Sequence, residues 1–185
     1  MSDDIAPLEP VDHPAGDADF RFHEDEWSQI EFFPKARLGE VQRLLKEYKP
    51  FEQAHRVQAG WREVYVRKVE RVPVISGAQP VQRLEKLLVI EAGPAPLLYS
   101  SRMVSGRVKD GFSLPLGGGV TLYGYVAGQG IPVLGAIVSG SPDEFKLTQA
   151  FKTLNSGHGL VLVDWRSQLV LVSVGSSGQI EHWRP

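Results

Sequence analysis

The chain has 185 residues, of which 42% are hydrophobic and 23% are charged, as in an ordinary globular protein. It has no cysteine, which excludes disulfides, thiolate nucleophiles and cysteine-ligated zinc. A chain of this length most often forms one domain. Its apolar runs are far shorter than the roughly 20 residues of a membrane-spanning helix, and its N-terminus does not resemble a secretory signal. We therefore expect a cytoplasmic protein that makes no contact with a membrane.

Charge is distributed unevenly along the chain, whose formal net charge is only −2. Residues 1–31 hold ten acidic side chains and one basic side chain, whereas the rest of the chain holds nineteen basic and twelve acidic side chains. Residues 1–28 also contain three prolines and follow neither a helical nor a strand period, which is typical of an extended segment. The sequence therefore predicts an acidic, extended N-terminal arm at 1–28 and a single globular domain at 29–185.

The first predicted helix covers residues 35–48, where apolar side chains recur at helical spacing up to Pro50. Residues 61–69 are rich in aromatic and β-branched side chains and predict a strand. Residues 81–91 fit either a helical turn, from the spacing of Pro80, Leu84 and Leu87, or a strand at 87–90, and we favour a strand from Lys86. Short apolar segments between glycine-rich turns predict antiparallel strands at 97–104, 120–126 and 131–138.

The second predicted helix covers residues 142–154 and has the clearest local signal in the chain. Ser141 at the N-cap, Pro142 at the first helical position and Glu144 at the third form a capping box. The sequence Asn-Ser-Gly at 155–157 is a stop signal. Three further apolar segments predict a C-terminal β-meander at 160–163, 169–174 and 179–183.

These elements together predict an α+β fold: a single domain, mainly antiparallel sheet, with about two helices and a C-terminal β-meander. A helix followed by three strands fits both 35–103 and 141–183. A pseudo-duplicated αβββ arrangement is therefore an alternative description of the same elements, although residue identities do not repeat between the two halves.

No pattern in the sequence predicts catalysis, a cofactor or a metal site. The segments 116–119 and 138–141 resemble phosphate-binding loops but lack a nucleotide-binding fingerprint, and Asp143 and Glu144 after the second one would repel a phosphate. His158 and Asp164 have no serine in a Gly-x-Ser-x-Gly turn to activate. The five histidines show no metal-binding spacing.

A row of basic side chains at Arg62, Arg67, Lys68 and Arg71 would suit a nucleic-acid backbone. Two glutamates interrupt this row, however, and the sequence pI of about 6.2 lies below the range expected of a nucleic-acid-binding domain. Nucleic acid is therefore an improbable partner, and we expect the acidic arm to fold back on this row.

The arm predicts a protein-binding site, because aromatic side chains are interleaved with its acids. Acids suit a basic partner, and aromatic side chains often dominate the energy of an interface. The predicted partner-binding residues are Phe20, Phe22, Glu24, Asp25, Glu26 and Trp27.

We therefore expect a non-catalytic protein-protein interaction protein that needs no cofactor. The most specific form of this hypothesis is a bacterial immunity protein that neutralises a cognate basic toxin or nuclease by occluding it. One alternative is a structural subunit of a phage or secretion assembly, in which the arm laces copies together. The other is an enzyme with an unrecognised site, for which the candidate residues are Arg102, His158, Asp164 and Arg166.

Overall fold

Three helices and fourteen short strands form the part of the chain that the structure describes. This computed structural model describes residues 6–11, 19–57, 60–63, 65, 67–100 and 103–185. The helices are α1 (Leu38–His55), α2 (Pro80–Leu88) and α3 (Glu144–His158). The strands are β1 (Leu8–Glu9), β2 (Arg21–His23), β3 (Ile30–Pro34), β4 (Arg56–Val57), β5 (Gly60–Trp61), β6 (Ile75–Ser76), β7 (Leu97–Ser100), β8 (Met103–Val108), β9 (Gly111–Gly117), β10 (Val120–Ala127), β11 (Gly130–Val138), β12 (Leu160–Asp164), β13 (Leu169–Val174) and β14 (Ile180–Trp183).

Most of the strands belong to two sheets. The large sheet has the order β14-β13-β12-β3-β11-β10-β9, with β6 paired to β11, and its pairs are antiparallel. The small sheet has the order β1-β8-β7-β2, in which β2 runs parallel to β7. β4 and β5 form a separate hairpin. The predicted α+β class, the antiparallel sheet and the C-terminal meander of β12, β13 and β14 are confirmed.

One face of the large sheet is covered by α2 and α3. Because successive side chains of a strand point to opposite faces, one set of strand residues, including Phe32 and Leu122, faces these helices. Leu84 of α2 and Phe151 of α3 join the same cluster and are fully buried. Burial of each such side chain contributes roughly 1.5–3 kcal/mol, so this layer is a main source of stability.

The opposite face of the large sheet is divided between two covers. α1 covers the half formed by β3, β12 and β13, where Leu45 shares a buried cluster with Phe33. The small sheet covers the half formed by β10 and β11, where Leu98 shares a second buried cluster with Tyr123. The two halves meet where β3 pairs with β11, at Glu31.

Both predicted helices are present, with different ends. α1 follows a 3₁₀ turn at Lys35–Arg37 and continues through Pro50 to His55. Beyond the proline, Phe51 packs on His55 and Tyr65. α3 is capped by Asp143 rather than Ser141, and ends at His158 before Gly159, whose φ is +63°. The stop signal predicted at 155–157 therefore lies inside α3, and the helix ends later than predicted.

A third helix replaces the strand that we favoured from Lys86, and that prediction was wrong. Pro80 stands at the first helical position, and Leu84 is buried under the large sheet. The amphipathic spacing therefore outweighed the local run of apolar residues. Of the strand predicted at 61–69, the described residues show β5 at its start, and residues 64 and 66 lie outside the described residues.

The arm predicted at 1–28 takes part in the fold wherever the structure describes it. β1 pairs with β8, and β2 pairs with β7. The boundary predicted at residue 28 therefore falls inside packed structure, while residues 1–5 and 12–18 lie outside the described residues. The described strands also show no αβββ repeat, because α1 is followed by three strands of two residues each, two of which form the separate hairpin.

Candidate partner-binding site

Glu24–Glu26 form a single 3₁₀ turn at the surface, which we call the acidic turn. At its start the N–H of Asp25 donates to Nδ1 of His23 (3.2 Å). At its end the N–H of Trp27 donates to the carbonyl oxygen of Glu24 (3.0 Å). A 3₁₀ turn of this length makes few hydrogen bonds of its own, so its conformation depends on the residues on either side.

The aromatic residues that flank the acidic turn are buried. Trp27 is 1% exposed, and the centroid of its ring lies 4.9 Å from that of Tyr123. Phe22 lies 4.8 Å from Tyr123, and Phe20 is partly buried against the same cluster. Phe22 and Trp27 thus anchor the turn to its own core and are unavailable as exposed anchors, which corrects the prediction for these two residues.

The three acids of the turn remain at the surface, as expected from their charge. Glu26 forms a two-point ion pair with Arg166 of the β12–β13 turn, with N–O distances of 2.7 and 3.0 Å. Glu24 accepts a hydrogen bond from the Ser105 hydroxyl on β8 (3.1 Å). Asp25 lies 3.4 Å from the His23 ring. The acidic turn therefore contacts both sheets, and the role of its acids in partner binding stays a prediction.

Ser28 follows Trp27 and is fully buried in a left-handed conformation, with a φ of +49°. A non-glycine residue in this region costs on the order of 1 kcal/mol. Three hydrogen bonds hold it there: its N–H donates to the Tyr123 hydroxyl (2.8 Å), its carbonyl accepts from Arg67 (2.9 Å) and its hydroxyl accepts from Arg71 (3.2 Å). Buried polar side chains thus set the backbone direction between the acidic turn and β3.

Glu31 is the carboxylate at the centre of this arrangement and is 1% exposed. One oxygen accepts from Arg71 (2.7 Å), and the other accepts from the Trp165 indole (2.9 Å) and lies 3.5 Å from Arg67. The Arg67 guanidinium also lies 4.0 Å from the centroid of the Trp165 ring. Ionic groups are found at such depth when they are paired and hydrogen-bonded. We call Ser28, Glu31, Arg67, Arg71, Tyr123 and Trp165 the polar cluster.

Burial changes the titration of two groups in the polar cluster. Burial lowers the pKa of the Arg67 guanidinium to about 10, an effect that the nearby Glu31 opposes. Burial also raises the pKa of the Tyr123 hydroxyl far above its ordinary value. At neutral pH Arg67 is therefore charged and Tyr123 is neutral.

The register of the large sheet explains why these side chains meet. Tyr123 on β10 is opposite Gly135 on β11, and Gly135 is opposite Glu31 on β3. A Cβ atom at position 135 would lie 2.5 Å from Cζ of Tyr123, so only glycine lets the tyrosine ring extend across β11 toward Ser28. The polar cluster therefore occupies the line between the cluster under α1 and the cluster under the small sheet.

The remaining sequence candidates each make contacts of their own. Asp164 accepts a hydrogen bond from the N–H of Ser167 and so shapes a turn (2.8 Å). His158 ends α3, and burial together with Arg83 lowers its pKa. Arg166 binds Glu26 instead of either residue. Arg102 lies outside the described residues.

The basic row at 62–71 does not form one exposed surface. Arg67 and Arg71 turn inward to Glu31 and Ser28, while Arg62 and Lys68 are exposed. In the described part of the arm, Ser28 contacts this row by accepting hydrogen bonds from Arg67 and Arg71, and the expectation that the acids of the arm fold back on the row stays a prediction. One signal for this was present in the sequence, since Glu31 is a single acid between apolar residues at the start of the body.

No group of three His, Cys, Asp or Glu residues in the described ranges is arranged to hold a metal ion. No helix in that part of the chain is both long enough and apolar enough to cross a membrane. The chain matches no protein-family model, and no curated protein and no solved structure is significantly similar to it.

Proposed function

We propose that the chain is a non-catalytic protein-binding protein whose acidic turn contacts a basic partner. In its most specific form, the chain is a bacterial immunity protein that occludes a cognate basic toxin or nuclease. One observation carries the proposal: the acidic turn is exposed, while the residues directly after it are locked into the core by Trp27 and Ser28.

Rigidity favours the acidic turn as a recognition element. A loop that must be ordered on binding loses affinity through its conformational entropy. Here Trp27 is buried and Glu26 is tied to Arg166. The side chain of Asp25 is half exposed and that of Glu24 is partly exposed, so both are available to a cationic partner at no further ordering cost.

Electrostatics favour a basic partner over nucleic acid or a small anion. Arg166 neutralises Glu26, which leaves Glu24 and Asp25 to supply negative charge at this surface. Exposed charges of this kind act mainly on the rate of association and on the rejection of like-charged partners. Phosphate groups would be repelled at the same place.

The other two hypotheses gain less support from the described residues. The strands of the arm, β1 and β2, pair with β8 and β7 of the same chain, whereas a lacing subunit needs its arm free for neighbours. For an enzyme, His158, Asp164 and Arg166 would have to converge, but Asp164 and Arg166 each contact a different group.

Reversal of charge at the acidic turn tests the proposal. The variant carries Glu24→Lys and Asp25→Lys, and the matched control carries Glu63→Lys and Glu91→Lys at exposed positions elsewhere. Each protein is used as bait in lysate of the native host, the captured partner is identified by mass spectrometry, and association is then measured with the purified partner. We expect wild type and control to bind one basic protein, and the variant to associate at least about tenfold more slowly at low salt.

Two further readouts make the result decisive. Because surface substitutions usually change the free energy of unfolding by less than about 0.5 kcal/mol, both proteins should unfold like wild type. If the captured protein is a toxin, co-expression of wild type should restore growth and co-expression of the variant should not. Equal association rates for variant and control would refute a role for the acidic turn.

A further inference from the structure

An exposed apolar row crosses the outer face of the small sheet beside the acidic turn. Tyr99 on β7 is opposite His23 on β2 and opposite Val104 on β8. Tyr99 is 39% exposed and Val104 is 46% exposed. Neighbouring strands lie about 4.8 Å apart, so the side chains of His23, Tyr99 and Val104 form a row roughly 10 Å long. We call these three residues the apolar row.

The pairing of the strands explains why these side chains face outward. Phe22 and Leu98 are opposite each other and belong to the buried cluster under the small sheet, so the next pair, His23 and Tyr99, must face away from it. Between Leu98 and Tyr99 the register shifts, and Ser105 is the additional residue on β8. Such a bulge re-aims the side chains that follow it, and here Val104 shares the outer face with Tyr99.

Two contacts connect the apolar row to the acidic turn. The His23 ring, which meets the Tyr99 ring edge-on at 5.4 Å, also accepts the N–H of Asp25. Ser105, next to Val104, donates to the Glu24 carboxylate. The acidic side chains of Glu24 and Asp25 therefore lie beside the apolar row.

The opposite side of the apolar row has a different charge. Arg21 is exposed and lies two residues before His23, so it shares the outer face of β2. On that side Arg21 and Arg107 are balanced by Asp19, which binds Arg107 (3.0 Å), and by the exposed Glu9 opposite Arg107, whereas Glu24 and Asp25 leave the surface at the acidic turn negative. A bound segment would place its cationic side chain near Glu24 and Asp25 and keep it away from Arg21.

We propose that the apolar row and the acidic turn together bind an extended segment of a basic protein, in which an aliphatic or aromatic side chain stands next to Lys or Arg. The apolar side chain covers Tyr99 and Val104, and the cation lies against Glu24 and Asp25. This inference rests on the proposed function, to which it adds the chemistry of the segment that is recognised. Apolar contacts contribute most of the affinity, while the acids set the orientation.

A selection of random peptides displayed on phage against the full-length protein tests this proposal. The row variant carries Tyr99→Thr and Val104→Thr, which keep a high strand propensity. The turn variant carries Glu24→Gln and Asp25→Asn. The matched control carries Val138→Thr and Phe145→Thr, which are exposed apolar residues elsewhere. Circular dichroism and thermal unfolding establish that each variant is folded.

Wild type and control should enrich peptides that hold an apolar residue beside Lys or Arg. The row variant should lose the apolar preference and keep the basic one, whereas the turn variant should show the reverse. A synthetic peptide of the enriched sequence should bind the row variant about tenfold more weakly in fluorescence anisotropy.

The outcomes separate the two proposals. A basic preference that does not depend on Tyr99 and Val104 would overturn the apolar row and leave the acidic turn intact. Loss of binding in the control but not in the row variant, or no enrichment at all, would overturn the surface as a docking site for a peptide segment. Wild-type self-association that only the row variant abolishes would assign the row to a second copy of the chain and overturn the basic segment.

Discussion

Two contacts between a glutamate and an arginine have the same length and different surroundings. Arg71 lies 2.7 Å from Glu31, and Arg166 lies 2.7 Å from Glu26. In the first pair the side chains are 11% and 1% exposed, whereas in the second they are 54% and 40% exposed. The N–O distance alone therefore does not determine how much such a pair contributes to the free energy of unfolding.

The two ion pairs differ in what surrounds the remaining charge when one member of the pair is removed. At the surface, water and salt solvate both members of a broken pair, so an exposed pair is worth about 0–1 kcal/mol. In the polar cluster there is no solvent to replace Glu31, and a lone buried charge remains. The buried pair thus fixes the fold of the segment that follows the acidic turn, while the exposed pair only orients a side chain of the turn.

The largest expected effect comes from Glu31→Gln, because it leaves Arg67 and Arg71 facing a neutral amide. We expect it to lower the free energy of unfolding by roughly 3–5 kcal/mol. The matched control is Glu40→Gln, which removes a carboxylate bound to Arg37 at 2.7 and 2.8 Å near the surface and should cost about 1 kcal/mol or less. Denaturant unfolding measures both, and equal losses would contradict the distinction between fully buried and partly exposed pairs.

A smaller effect is expected at Ser28, where two substitutions separate backbone strain from the lost hydroxyl. Ser28→Ala keeps the left-handed conformation without the bond from Arg71 and should cost roughly 1–3 kcal/mol. Ser28→Gly loses the same bond but adopts a φ of this sign freely, so it should be about 1 kcal/mol more stable than Ser28→Ala. Thermal and denaturant unfolding give both values. If the alanine variant is the more stable one, the strain assigned to Ser28 is absent.

The smallest effect is expected for the exposed pair, measured as a coupling energy between Glu26→Gln and Arg166→Gln. A double-mutant cycle should give about 0.2–1 kcal/mol at low salt. The value should approach zero at about 1 M salt, where charges are screened within roughly 3 Å. A coupling energy that stays above this range in high salt would mean that the acidic turn is held as tightly as the polar cluster.

The two predicted helices and the C-terminal meander could be inferred from the sequence because their signals are local. In α3 the apolar spacing and the residues before Glu144 mark a start, even though Asp143 rather than Ser141 makes the capping bond. Strands β10, β11 and β13 were expected because each apolar run is bounded by turn residues. Local patterns of this kind depend on neighbours within a few residues.

The same reasoning predicted only part of the candidate site. Glu24, Asp25 and Glu26 were expected at the surface from their charge, and they lie there. Phe22 and Trp27 were expected beside them, but whether an aromatic side chain faces a partner or its own core depends on Tyr123, about 100 positions further along the chain. No spacing rule within the arm contains that information.

The sequence by itself determined the α+β class, the segregation of acidic residues near the N-terminus and the positions of α1 and α3, since composition and periodicity express these directly. The tertiary structure alone decided that Glu31 is buried between two arginines and that Tyr99 and Val104 share an exposed face. These features follow from the register of β3, β7 and β10 with their neighbours, and register depends on pairing between residues far apart in sequence, where a shift of one position sends each side chain to the other face.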